Sequence, residues 1–204
     1  MNLIYIHGLD SDANATKGQI LDTYCQQHRP DIQVIRPDLN MSPTKVGEKI
    51  SALIADTSQD TLLVGSSLGG YFATYLSNQL GVPALLINPS IQPHISLQRF
   101  ASQAERSDAS NDDIIYTTSG GWQMTAADLD WFATHQLSTL NNPHKVAAII
   151  KRGDELLDAE QSQAFYHSHN ASVTIQDGGD HRFSDFEAQL PVVMPLIEQI
   201  TTAD

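Results

Sequence analysis

The chain has 204 residues and a formal net charge of −13, with 11 Lys and Arg against 24 Asp and Glu. That balance argues against nucleic acid or an anionic membrane surface as a partner, since both call for clustered basic side chains. No stretch approaches ~20 consecutive apolar residues, no basic leader precedes the first apolar run, and the lone Cys25 permits no internal disulfide, so the sequence reads as a single cytoplasmic domain, 1–204.

Short Val/Ile/Leu-rich runs predict strands at 2–6, 32–36, 61–66, 83–87, 145–150 and 172–176. Several are nearly continuous, as expected of strands buried on both faces. Helical patterns lie between them at about 15–28, 43–56, 68–80, 158–168 and 185–201. Ser42-Pro43 reads as an N-cap followed by proline at the first helical position. Pro191 and Pro195 are expected to break or restart the last helix. The alternation predicts an α/β fold with a mainly parallel sheet of about six strands. Residues 88–144 are too long for one crossover. They carry Trp122, Trp131, Phe100, Phe132 and Met124, and read as an inserted cap of short helices with an apolar underside.

The third strand run ends in Gly65-Ser66-Ser67-Leu68-Gly69, a G-x-S-x-G placed between a strand and a helix. In a nucleophile elbow the central residue sits on a turn so sharp that its neighbours two before and two after must lack side chains. Ser67 is therefore the candidate nucleophile.

In a parallel sheet, function gathers at the carboxyl ends of the strands. His7-Gly8-Leu9 follows the first strand, Gly153-Asp154-Glu155 the fifth, and Gly178-Gly179-Asp180-His181 the sixth. A serine hydroxyl needs a base against it, and a carboxylate on the far nitrogen fixes that imidazole's tautomer. His181 is the candidate base and Asp154 the candidate acid, with Glu155 and Asp158 as competitors. Asp158 reads instead as a helix N-cap with Gln161 three residues on, and Glu155 is expected to point away. The N–H groups of Leu68 and Leu9 are the candidate oxyanion donors, with His7 ordering the second loop. His167 and His169 read as solvated, while His28, His94, His135 and His144 have no strand-end placement. No ligand spacing suggests a metal, and no glycine-rich phosphate loop suggests a nucleotide, so no cofactor is expected.

Tyr5-Ile-His-Gly-Leu9, Val64-Gly-Ser-Ser-Leu-Gly-Gly-Tyr71, Ile87-Asn-Pro-Ser90, Gly153-Asp-Glu-Leu-Leu-Asp158 and Gly178-Gly-Asp-His181 occur in that order. Together they resemble the YqiA family of small bacterial esterases in the α/β-hydrolase superfamily, over nearly the whole chain. The segment 105–135 matches less well, departing at Thr118-Ser-Gly-Gly-Trp122. The resemblance implies a reduced α/β-hydrolase without the first two strands of the full fold. It also implies carboxylic-ester hydrolysis by Ser67, Asp154 and His181, and favours Asp154 over Glu155. The expected substrate is a small ester of short to medium acyl length, or a thioester. Arg99 and Arg106 are the residues suited to a coenzyme A phosphate. The competing readings are a non-catalytic binding protein on the same scaffold and an amidase or peptidase.

Overall fold

The computed structural model describes residues 1–57, 59–101 and 113–203. In chain order the elements are β1 (Asn2–Ile6), α1 (Thr16–His28), β2 (Gln33–Ile35), α2 (Pro43–Ala55), β3 (Thr61–Ser66), α3 (Leu68–Leu80) and β4 (Ala84–Ile87). Then come α4 (Pro93–Ser96), α5 (Gln98–Ala101), β5 (Ile114–Thr117), β6 (Gln123–Thr125) and α6 (Ala126–Thr134). Last are β7 (Val146–Lys151), α7 (Ala159–Ser168), β8 (Ser172–Gln176) and α8 (Leu190–Thr201).

Six strands form one sheet in the order β2-β1-β3-β4-β7-β8, and every pairing in it is parallel. Side chains alternate across it as the two-residue period demands. Ile4, Ile6 and Leu63 join a core with Val46, Phe72 and Tyr166, on the side of α2, α3 and α7. Leu3, Tyr5, Leu62 and Val64 join a second core with Leu21, Phe186, Val193 and Ile197, on the side of α1 and α8. Burial on both faces is why these strands read as apolar runs rather than as alternating ones.

The chain leaves β1 for β2 on one side and then returns to place β3 on the other, so the order reverses between β1 and β3. Such a reversal opens a crevice at the carboxyl ends of the two strands. The loop after β1 and the turn after β3, which carry Gly8 and Ser67, meet there.

Two helical expectations are revised. Pro43 opens α2 and Ser42 occupies the cap position, but its hydroxyl makes no capping bond. Pro191 lies in the first turn of α8, whereas Pro195 sits inside a helix that runs on to Thr201. Pro195 is exposed, so the carbonyl it leaves unpaired faces water, while Val193, Met194, Leu196 and Ile197 anchor the buried side.

The long connection holds more than short helices. Beside α4, α5 and α6 it contains β5 and β6, an antiparallel pair. Residues 102–112 of the expected cap, Arg106 among them, lie outside the described residues. Phe132 is fully buried, and its ring meets Tyr71 and Phe72 of α3 at 5.3 and 5.8 Å. The turn of the β5–β6 hairpin is tied down at two places. Tyr116 and the Ser119 N–H donate to the Asp10 carboxylate at 2.7 and 3.0 Å, and the Thr118 hydroxyl donates to Asn40 Oδ1 at 3.1 Å.

Gly65 and Gly69 are fixed by contact. A Cβ on Gly69 would overlap the carbonyl oxygen of Ile6, and one on Gly65 would overlap the carbonyl oxygen of Gly69. Both obstacles are backbone and cannot swing aside. Gly69→Ala is therefore expected to lower stability by about 3 kcal/mol or more. A urea midpoint within experimental error of wild type would contradict that packing.

Candidate active site

Ser67 sits between β3 and α3 at φ +56°, ψ −121°, a conformation that serine rarely adopts. A backbone of that kind costs on the order of 1–3 kcal/mol and persists only where its surroundings over-determine it. Here they do. The Ser67 N–H donates to the Ile87 carbonyl at 3.1 Å, and the Ser67 carbonyl accepts from Gly70 and Ser90 N–H at 2.9 and 3.0 Å. The turn lifts the hydroxyl out of the strand's pleat and into the crevice.

His181 comes from the loop after β8 and Asp154 from the loop after β7. His181 Nε2 lies 2.9 Å from Ser67 Oγ, and His181 Nδ1 lies 2.9 and 2.8 Å from the two oxygens of Asp154. The Asp154 side chain is 2% exposed and that of His181 13%. Asp154 Oδ1 also accepts from the N–H groups of Leu156 and Leu157 at 2.9 and 2.8 Å. The carboxylate is thus oriented from behind before it meets the imidazole. With a carboxylate on Nδ1, that nitrogen carries the proton and Nε2 is left as an acceptor for the serine. The arrangement can move a proton from Ser67 Oγ to His181 Nε2 without moving a heavy atom.

The loop after β1 lies directly over the serine. A Cβ on Gly8 would sit 3.1 Å from Ser67 Cβ and 3.6 Å from Ser67 Oγ. His7 fixes this loop from inside, its ring 4% exposed. Nε2 accepts the N–H of Leu39 at 2.9 Å, and Nδ1 donates to the carbonyl of Gly8 at 2.9 Å. That pair of bonds requires a neutral ring with its proton on Nδ1. Leu68 opens α3, where the first N–H groups have no partner within the helix. Leu9 and Leu68 both line a small cavity beside this loop, with Leu39, Met41, Phe72 and Trp122 among its other walls and a volume of about 20 Å³.

Among the acidic competitors, Asp158 caps α7, its Oδ1 accepting the Gln161 N–H at 2.9 Å. Glu155 is not directed away, as expected, but accepts the backbone N–H of His181 at 2.9 Å. The loop turns at Asp154 and brings both carboxylates to the histidine, one to the ring and one to the main chain. His169 is likewise not simply solvated: Nδ1 and Nε2 reach the carbonyls of Phe165 and Ser138 at 2.7 and 3.1 Å. The Arg99 guanidinium lies 4.9 Å over the Phe100 ring. Cys25 is buried, and burial pushes its thiol up to about 11, away from nucleophilic use. Among the described residues, no group of three or more His, Cys, Asp or Glu could hold a metal ion. Nor is any described helix long and apolar enough to cross a membrane.

Sequence reasoning missed Lys17. Its ammonium donates to the carbonyl of Arg182, next to His181, at 2.6 Å. Burial, only partly offset by Asp180, lowers its pKa to about 8. The unfolded chain, with lysine near ~10.4, therefore holds the proton longer than the folded one, and stability rises with pH between these values. Relative to Lys17→Met, the wild type is expected to gain urea resistance between pH 7.5 and about 9.5. A gap that stays constant with pH would show that this ammonium is not strained by burial.

Several solved structures share this architecture. Alpha/beta hydrolase domain-containing protein 10 from mouse superposes at a TM-score of 0.73 with 18% identity, covering 98% of this chain and 90% of that one. Est1E from Butyrivibrio proteoclasticus superposes at 0.73 with 16% identity, covering 98% and 88%. The fold is that of the α/β-hydrolases, as the elbow and the strand order require. Within it, the pattern described as Uncharacterised protein family (UPF0227) matches residues 2–198, and the chain belongs to that family, the YqiA-like group that the motifs resemble. A UPF0227 protein of Shewanella sp. (strain MR-4) is 22% identical over 197 residues, covering 94% of this chain and 96% of its own. One of Yersinia pseudotuberculosis (serotype O:1b, strain IP 31758) is 20% identical over 195 residues, covering 92% and 94%.

Proposed function

We propose that this protein is a serine hydrolase that cleaves small carboxylic esters through an acyl-enzyme. The observation that carries the reading is the unbroken chain of contacts from Asp154 through His181 to Ser67 Oγ. Ser67 Oγ attacks the ester carbonyl while His181 Nε2 takes its proton. The carbonyl oxygen becomes an oxyanion, received by the N–H groups of Leu68 and Leu9, each such donor being worth about 3–4 kcal/mol. The tetrahedral intermediate collapses, the C–O bond to the alcohol breaks, and His181 returns the proton to the leaving oxygen. Water then attacks the acyl-serine, giving its proton to His181; the bond from the acyl carbon to Ser67 Oγ breaks, His181 returns that proton to Oγ, and the acid leaves. No step calls for a cofactor, and thioesters fit the same sequence of bonds.

The cavity beside the Leu9 loop supports the short end of the acyl range. Its ~20 Å³ has room for only about one or two water-sized groups, and it lies beside Leu9 and Leu68, the proposed oxyanion donors. Met41 is one of its half-buried loop walls, and its side chain is long enough to matter when cut back. Met41→Ala is expected to move the best substrate of a p-nitrophenyl ester series up by about one or two carbons, on the scale of ~0.8 kcal/mol per methylene accommodated. An unchanged chain-length profile would place the acyl group elsewhere.

The reading is tested with a fluorophosphonate probe on the purified protein, locating the adduct by peptide mass spectrometry. Phosphonylation at Ser67 is the expected result. A folded sample that reacts nowhere, or that reacts only at another residue, would overturn it and favour a binding protein built on the hydrolase scaffold.

A further inference from the structure

Asn88 follows β4, on the same rim of the sheet as Ser67, Asp154 and His181, and neither the elbow nor the three loops account for it. It is 2% exposed and lies at φ +42°, the left-handed region. Its carboxamide is fully engaged. Oδ1 accepts the Lys151 N–H at 2.8 Å, and Nδ2 donates to the carbonyls of Asp180 and His181 at 3.0 and 3.2 Å. Its own N–H donates to Ile149 at 3.0 Å. One side chain therefore joins the end of β7, three residues before Asp154, to the backbone of the histidine itself. Two residues on, Ser90 N–H holds the carbonyl of Ser67. Pro89 between them packs against Gly70, and its carbonyl accepts the Ser162 hydroxyl at 3.1 Å.

The loop so held is not relaxed by itself. Phe183, two residues past His181, is buried at φ +56°, a strained setting for a bulky side chain. Gly178 and Gly179 also have positive φ. A loop of this kind keeps its shape only while something outside it enforces the shape. Glu155 holds the His181 N–H from the exposed side, and Asn88 holds the His181 carbonyl from the buried side.

We propose that Asn88 is a positioning residue, whose carboxamide fixes the main chain of Asp180 and His181 against the end of β7 so that the imidazole stays in line between Asp154 and Ser67. The proposal rests on the roles given above to Ser67, His181 and Asp154. A left-handed φ alone would also favour asparagine. Glycine separates the two explanations, because it accepts the backbone angle and lacks the carboxamide. Aspartate is the second probe. It keeps the shape and the acceptor for Lys151, but sets an oxygen against two carbonyl oxygens.

The test compares Asn88→Gly and Asn88→Asp with wild type and with Tyr166→Phe. Tyr166→Phe removes a buried hydroxyl bond between α7 and α3, to Thr74 rather than to the histidine loop, and serves as the control for stability loss alone. Three quantities are read: thermal melting, kcat and KM on a short acyl p-nitrophenyl ester, and the far-downfield proton resonance of His181 Nδ1–H shared with Asp154. A misplaced base costs on the order of 10² in kcat with little change in KM. That loss is expected in both Asn88 variants, together with weakening of the resonance, while Tyr166→Phe keeps both. An unchanged resonance, or a kcat within about threefold of wild type in a folded variant, overturns the proposal. So does loss of folding in both variants, which would make Asn88 purely structural, and so does a wild type that lacks the resonance. A wild type that shows the resonance but turns over no ester and takes no probe refutes the hydrolase reading instead. In that case the resonance in the variants still decides the place of Asn88.

Discussion

Ser67→Ala is expected to abolish fluorophosphonate labelling and to reduce ester turnover by about 10⁴- to 10⁶-fold, the scale on which serine hydrolases lose their nucleophile. The change removes one oxygen atom and little else. The turn at φ +56° is held by backbone bonds to Ile87, Gly70 and Ser90, none of which involves the hydroxyl. Melting temperature and substrate KM should therefore stay close to wild type. His181→Ala should cost about as much, and the double variant no more than either single one, because nucleophile and base act as a unit. Multiplied losses in the double variant would mean that the two side chains work independently, and the proton-transfer step would have to be abandoned. The activity that remains, from whatever N–H donors receive the oxyanion, should be the same in all three.

The second large effect belongs to Asp154→Asn, expected to lower turnover by about 10⁴. The cause is a tautomer rather than a lost charge. Asp154 Oδ1 is claimed from behind by the N–H groups of Leu156 and Leu157. An asparagine here keeps its oxygen toward those donors and turns its NH₂ to His181 Nδ1. The imidazole then carries its proton on Nε2, where it faces Ser67 as a donor and cannot accept. Glu155→Gln is the contrast. A neutral amide oxygen still accepts the His181 N–H, so a loss of about tenfold or less is expected. Near-normal turnover in Asp154→Asn with a dead Glu155→Gln would reverse the assignment of the acid.

The centre of the main sheet could be read from the sequence because β1, β3, β4 and β7 are buried on both faces, which leaves apolar runs too short for a buried helix. Ser67, Asp154 and His181 could be singled out for a related reason: a parallel sheet sends all its carboxyl ends to one rim, so residues far apart in sequence share an address. What the sequence hid depends on contacts that no local pattern encodes. The β5–β6 hairpin is rich in Thr, Ser and Gly and takes its shape from Asp10 and Asn40, more than 70 positions upstream. The contacts of Glu155 and Lys17 leave no local signal, because their partners are main-chain atoms of the histidine loop. Asn88 was visible only as part of Ile87-Asn-Pro-Ser90, with nothing in those four residues to say what the carboxamide holds. Proline breaks helices by type, and the exposed face that lets α8 tolerate Pro195 is not encoded in the local pattern.

The 114 positions between Ser67 and His181 also set an order of events during translation. At 5–20 residues per second, the elbow leaves the peptidyl-transfer centre roughly 6 to 23 s before the base. For that interval the nascent chain holds β1, β3 and Gly65 with an ordinary, inert serine. α8, which closes one face of the sheet through Val193, Ile197 and Ile200, is made later still. On the proposed reading, the alcohol is made long before its base, and a chain released before residue 181 carries Ser67 without the imidazole that would activate it.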